Sequence, residues 1–141
     1  MTDHHGQCFC GAVEFIVSGK PVAMGYCHCT SCRQWSASPV TAYTLWPSGA
    51  LKITRGADNL GSFTKTSNVV RKWCKSCGGH VFGDMTQVDM VDVFAPMLPT
   101  LKFEPTLHVF YGEKTLGIRD GLPKMKDFPK EFGGSGATLP E

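Results

Sequence analysis

The chain has 141 residues, 42% hydrophobic and 18% charged, with a net charge of +2 and a pI near 8.2. This composition excludes disorder and collagen-like repeats, and the mild charge argues against a nucleic-acid partner, which asks for a clustered basic face. No run approaches the roughly eighteen apolar residues of a membrane helix, so no membrane partner is expected. One domain is expected over 1–141, with a core at about 6–128 and a tail at 129–141.

The opening MTDHHGQCFC has no apolar run and no basic region ahead of one, so no secretory leader is expected. That points to the cytoplasm, where thiols stay reduced. His4 and His5 read as mobile. Gly11 to Val17 alternates with Val13, Phe15 and Val17 on one face and predicts a strand. Ser31 to Ser38 predicts the one short helix, with Thr30 or Ser31 as N-cap. Strands are predicted at Val40–Leu45, Leu51–Thr54, Gly61–Thr66, Val69–Trp73, Val91–Phe94 and Leu107–Tyr111, and a further one at Thr115–Ile118. Many short strands between Gly and Pro turns predict an all-β, antiparallel fold. The end of the tail, GGSGATLPE, reads as loosely held, with Phe128 and Phe132 packing the rest onto the sheet.

Seven cysteines carry the chemistry, and their odd number fits a disulfide scaffold poorly. Cys8 and Cys10 form a Cys-x-Cys. Cys27, Cys29 and Cys32 form a Cys-x-Cys-x-x-Cys. Cys74 and Cys77 form a Cys-x-x-Cys followed by two glycines, which permit a tight backbone path around a metal. Zinc bonds thiolates at ~2.3 Å in a tetrahedron. A Cys-x-Cys in extended chain would put both sulfurs on one side. One partition joins Cys8, Cys10, Cys74 and Cys77 in a closed site and leaves Cys27, Cys29 and Cys32 around a second zinc with a position open. A second makes a zinc ribbon of Cys29, Cys32, Cys74 and Cys77. A third has one structural zinc and three free thiols.

The three cysteine motifs in this order resemble the glutathione-dependent formaldehyde-activating enzyme family, which also contains centromere protein V. The residues are Cys8, Cys10, Gly11 and Val13; Cys27, His28, Cys29, Cys32 and Arg33; and Arg71, Trp73, Cys74, Cys77 and Gly78. Pro105 to Val109 and Asp120-Gly121-Leu122-Pro123 are similar to later family motifs. The resemblance implies a zinc-held β-tent, a structural zinc on Cys8, Cys10, Cys74 and Cys77, and a catalytic zinc on Cys27, Cys29 and Cys32. It also implies a zinc-dependent carbon–sulfur lyase acting on thiol–aldehyde adducts, as S-(hydroxymethyl)glutathione synthase does, with glutathione or its formaldehyde adduct as the small-molecule partner.

An open zinc position would stabilise an external thiolate. Activation of bound water is the variant, and a non-catalytic binding or scaffold module is the alternative. Arg33 is a candidate to fork onto a substrate carboxylate, or to balance the anionic cluster. Arg71, Lys72 and Lys75 read as offsetting the four-thiolate charge. His28 is expected to point away from the metal, His108 to be a satisfied buried histidine and His80 to be exposed. Trp35, Trp46 and Trp73 read as core or interface, and Phe82 and Phe94 as core. The oligomeric state is open.

Overall fold

Ten short strands and one α-helix carry the chain in the computed structural model, which describes residues 1–141. In chain order they are β1 (Asp3–Gln7), β2 (Glu14–Ser18), β3 (Ala23–Cys27), α1 (Thr30–Ser36), β4 (Thr41–Pro47), β5 (Leu51–Arg55), β6 (Leu60–Thr66), β7 (Val69–Cys74), β8 (His80–Met85), β9 (Met90–Phe94) and β10 (His108–Val109). The fold is therefore mostly β with one short helix, as the turn-rich sequence predicts. Two compact units share the chain: residues 1–23 with 44–103, and residues 24–43 with 104–141. The chain crosses from one to the other three times: within β3, within β4 and after Phe103.

The first unit is built on apolar alternation. β2 pairs antiparallel with β1 and with β5, and β7 pairs with β6 and β8, which in turn pairs with β9. Val13, Phe15 and Val17 are fully buried, beside Trp46, Val81, Phe82, Val91, Val93 and Leu98. Burying each such side chain stabilises by roughly 1.5–3 kcal/mol. Trp46 finds a partner for its indole N–H in Thr44 Oγ1 at 2.8 Å, and that hydroxyl donates to Val93 O.

β1, β3 and β8 lie outside the strands the sequence predicts. β1 (DHHGQ) has no apolar face of its own. It buries His4 and Gly6, and a Cβ at position 6 would meet the Phe15 ring at 2.5 Å. His4 is consequently fixed rather than mobile, with Nδ1 2.8 Å from Thr100 Oγ1.

The second unit has a different interior. β10 pairs with β3 in parallel, Val109 opposite Cys27, a departure from the all-antiparallel expectation. Its buried side chains include His28, His108, Lys124, Tyr43, Tyr111 and Thr41. Polar side chains share this interior with Val109, Cys27 and Cys32, so hydrogen bonds as well as apolar contact order it. Residues 115–118 form no strand: the backbone N–H of Ile118 donates to the Tyr111 hydroxyl at 3.0 Å instead of to a ladder.

The tail is not loose either. Lys126 N donates to Ala137 O and Leu139 N to Lys124 O, both at 2.8 Å, and Asp127 Oδ1 accepts from the Ser135 N–H and hydroxyl at 2.9 Å. Phe128 stacks on Phe110, while Phe132 stays largely exposed.

Candidate metal centres

Cys8 and Cys10 sit in the turn between β1 and β2, where Gly11 N donates to Cys8 O at 3.1 Å. The pair is thus brought together by a turn and not by extended chain. Cys74 ends β7, and Cys77 lies in the knuckle that follows, closed by Gly78 N to Cys74 O at 2.8 Å and Cys74 N to Gly79 O at 2.9 Å. Gly78 has φ +74, the left-handed conformation expected for glycine there.

The four Sγ atoms lie within 4.8 Å of one another, with Cys8–Cys10 and Cys10–Cys74 separations of 3.8 Å. A tetrahedron with metal–sulfur bonds of ~2.3 Å has edges of about 3.8 Å, so this set fits a thiophilic tetrahedral ion. Backbone donors already face the sulfurs: Val13 N to Cys8 and Gly79 N to Cys77, both at 3.3 Å. Asn59 Nδ2, a partner that sequence reading missed, donates to Cys74 Sγ at 3.5 Å and to Ser76 at 2.9 Å.

The Gly79 N–H helps bring the Cys77 thiol down to about 6. The Ala12 N–H lowers Cys10, yet desolvation and the neighbouring Cys77, Cys74 and Cys8 thiols win and push it up to about 11. Lys72 and Lys75, read from sequence as offsetting this charge, place their ammonium groups on Ser62 Oγ and Asp58 O.

The second cluster is local. Cys27 is the last residue of β3, Cys29 is the N-cap of α1, and Cys32 is in its first turn. Cys29 Sγ accepts from Cys32 N at 3.2 Å, doing the capping that sequence reading gives to Thr30 or Ser31. The three sulfurs lie within 4.8 Å of one another, and no histidine, aspartate or glutamate completes the set. Hydrogen bonds from the Cys27 and Cys32 thiols hold Cys29 down at about 3, while Cys27, bonded to Cys29 and Cys32 and then buried, is driven far up. Without a cation, Cys29 takes the charge and Cys27 keeps its proton. A metal that binds all three as thiolates displaces the protons that remain. Cys74 and Cys77 thus share a cluster with Cys8 and Cys10, not with Cys29 and Cys32 as in a zinc ribbon.

Arg33 braces this loop: Nε donates to His28 O at 3.0 Å, and Nη2 to Thr30 Oγ1 and Glu113 O, both at 3.1 Å. Glu113 Oε1 accepts from the Thr30 N–H and hydroxyl. His28 is fully buried, with Nε2 2.8 Å from Nδ1 of His108, whose Nε2 is 2.7 Å from Asp120 Oδ2. Burial pushes His28 down to about 4.

His80, expected to be exposed, is half-buried and stacks on Phe94 at 4.2 Å between centroids. Of the tryptophans, Trp46 is core, while Trp35 and Trp73 are half-buried.

A mostly β chain with one set of four cysteines and one of three, each able to hold a thiophilic metal ion, defines the class. The family of glutathione-dependent formaldehyde-activating enzymes matches residues 3–113, and the chain belongs to that family.

An uncharacterized lyase of Schizosaccharomyces pombe is 28% identical over 82 residues, 58% of this chain and 58% of its own length. A Penicillium rubens protein, provisionally named a glutathione-dependent formaldehyde-activating enzyme, is 29% identical over 79 residues, 55% of this chain and 41% of its own. An Emericella nidulans protein of the same provisional name is 28% identical over 77 residues, 55% of this chain and 39% of its own. The matches therefore span about two fifths to three fifths of those relatives. A crystal structure of a Rhodobacter sphaeroides protein shares the fold, with a TM-score of 0.55 and 24% identity over 70% of this chain and 90% of its own. No helix is long and apolar enough to cross a membrane.

Proposed function

We propose that this chain is a zinc-dependent carbon–sulfur lyase acting on thiol–aldehyde adducts, with two zinc ions per chain. Cys8, Cys10, Cys74 and Cys77 hold the structural ion, and Cys27, Cys29 and Cys32 hold the catalytic one. The observation that carries the reading is the three-sulfur cluster with no fourth protein donor beside it. Three protein ligands and an exchangeable position are the pattern of a catalytic zinc. A zinc ion there supplies a vacancy at which an external thiol is stabilised as its thiolate.

The reaction joins a thiol to an aldehyde: the carbon–sulfur bond forms, and the carbonyl oxygen takes the proton the sulfur gives up. The reverse breaks that bond and regenerates both. The chain's own residues prepare the site. Cys29 Sγ, capped by Cys32 N, is held as a thiolate. Arg33 spends Nε and Nη2 on fixing the loop, and its fixed positive charge suits a substrate carboxylate such as those of glutathione. The thiol requires a reducing compartment, such as the cytoplasm, to stay available.

The relatives' names support the lyase class and a glutathione-related substrate. The deciding experiment assays S-hydroxymethyl and S-acyl thiols, with metal content measured on the same sample. Two zincs per chain and turnover of an S-hydroxymethyl thiol are expected. One zinc per chain defeats the two-site reading, and full loading without turnover across the panel favours a non-catalytic binding module.

A further inference from the structure

The second unit contains a continuous polar chain that the proposed chemistry does not use. Glu141 Oε2 accepts from Lys124 Nζ at 2.8 Å and from the backbone N–H groups of Asp120 and Gly121. Lys124 Nζ also donates to Asp120 Oδ1 and to Leu122 O, both at 2.7 Å, and its side chain is 1% exposed. Asp120 Oδ2 meets His108 Nε2 at 2.7 Å, and His108 Nδ1 meets His28 Nε2 at 2.8 Å. Both histidines are fully buried. The chain ends at the residue between Cys27 and Cys29.

With both rings neutral, the ionised carboxylate sets its direction. An ionised carboxylate can only accept, so His108 donates from Nε2. In a neutral ring the other nitrogen then accepts, so His108 Nδ1 takes a proton from His28 Nε2. That places a lone pair on His28 Nδ1, a buried atom with no hydrogen-bond partner. The backbone of His28 is pinned too, with N donating to Val109 O at 3.1 Å and O accepting from Arg33 Nε at 3.0 Å.

We infer that Asp120 is a positioning residue for the three-thiolate centre: through His108 it locks His28, and with it the Cys27 and Cys29 sulfurs on either side, in one orientation. This rests on the reading of that cluster as a metal centre, though not on the lyase activity. A charge-assisted bond is about twice as strong as a neutral one. Losing it loosens the ligand segment, whose ordering is then charged against metal binding.

Asp120→Asn tests this with a specific signature. Lys124 Nζ and Leu122 N both donate to the Oδ1 position, so the introduced amide must keep its oxygen there and turn its NH2 toward His108. The whole chain then reverses: His108 accepts at Nε2 and donates from Nδ1, and His28 carries its proton on Nδ1.

Nitrogen-15 NMR of the zinc-loaded full chain should show Nε2–H at both rings in the wild type and Nδ1–H at both in Asp120→Asn. Chelator competition should remove the first zinc from the variant at on the order of 10–100-fold lower chelator activity, with the second zinc unchanged. Loss of the first zinc in Cys32→Ser identifies it as the three-thiolate one. An unmoved first zinc overturns the inference, and so does an equal shift of both zincs with falling thermal stability, which marks general destabilisation. A wild-type His28 protonated on Nδ1 overturns it without any variant. A single zinc in the wild type defeats the proposed function itself, and this inference with it.

Discussion

The Sγ atoms of Cys10 and Cys74 lie 3.8 Å apart although 64 residues separate them in the chain. One is in the turn after β1 and the other ends β7, so a metal bridging them staples two strand systems of the first unit. Structural zinc contributes on the order of 10–16 kcal/mol to small zinc domains. Cys74→Ser is therefore expected to abolish cooperative unfolding of the first unit. Cys32→Ser is expected to lose one zinc per chain and keep the far-ultraviolet dichroism of the wild type. Equal collapse of both variants, read by metal analysis and dichroism together, would remove the distinction between a closed and an open site.

Gly25 lies where β3 passes close to its neighbours. A Cβ there would meet Tyr43 Oη at 2.6 Å and Leu107 O at 2.7 Å. The tyrosine end can rotate away, but the carbonyl belongs to backbone. Gly25→Ala should cost about 1–3 kcal/mol in urea unfolding, the usual range for overpacking. A loss below about 0.5 kcal/mol, the scale of an ordinary surface change, would show that the strand yields.

Lys124→Met removes the cation between Asp120 and Glu141. Those carboxylates are 28% and 36% exposed, so water compensates part of the loss. The expected cost is about 1–3 kcal/mol, below that of breaking a fully buried pair. Faster proteolytic cleavage within 129–141 should accompany it, because Glu141 loses its anchor. Unchanged cleavage would mean that the backbone bonds at Lys126 and Leu139 hold the tail unaided.

His28 supplies a pH dependence. Its folded value of about 4 lies below the ordinary 6.5, chiefly through burial and then through neighbouring cations, Lys114 and Lys124 among them. Between those values the unfolded chain binds more protons, so stability rises with pH there. The neutral ring's contribution is complete above about pH 6.5 and fades toward pH 4. NMR titration should find His28 neutral at pH 5.5, and a midpoint near 6.5 would contradict the burial argument.

Much of this was legible in the residues. The spacing offered the division of seven cysteines into four and three as one of three partitions, since a Cys-x-x-Cys knuckle and a Cys-x-Cys each offer half a shell, and the fold brings those two groups together. The core strand Val13–Phe15–Val17 announces itself by period-two alternation, a local signal. What escaped is long-range or borrowed. β1 has no apolar face and is a strand because β2 offers it a ladder. His4 is ordered by Thr100, on a distant loop. The tail looks loose by composition but is tied by backbone bonds to Lys124 and Lys126. The His28–His108 contact spans 80 residues, and no local pattern encodes it. The motif around Asp120 marked that loop as worth watching without saying that it reaches a histidine.

Each compact unit carries its own sulfur set and borrows none from the other. A shell of four protein thiolates retains its ion better than one of three with a vacancy. On the two-zinc reading, a cell running short of the metal would silence this chain before dismantling it. Resupply would then revive molecules already made instead of waiting on new synthesis.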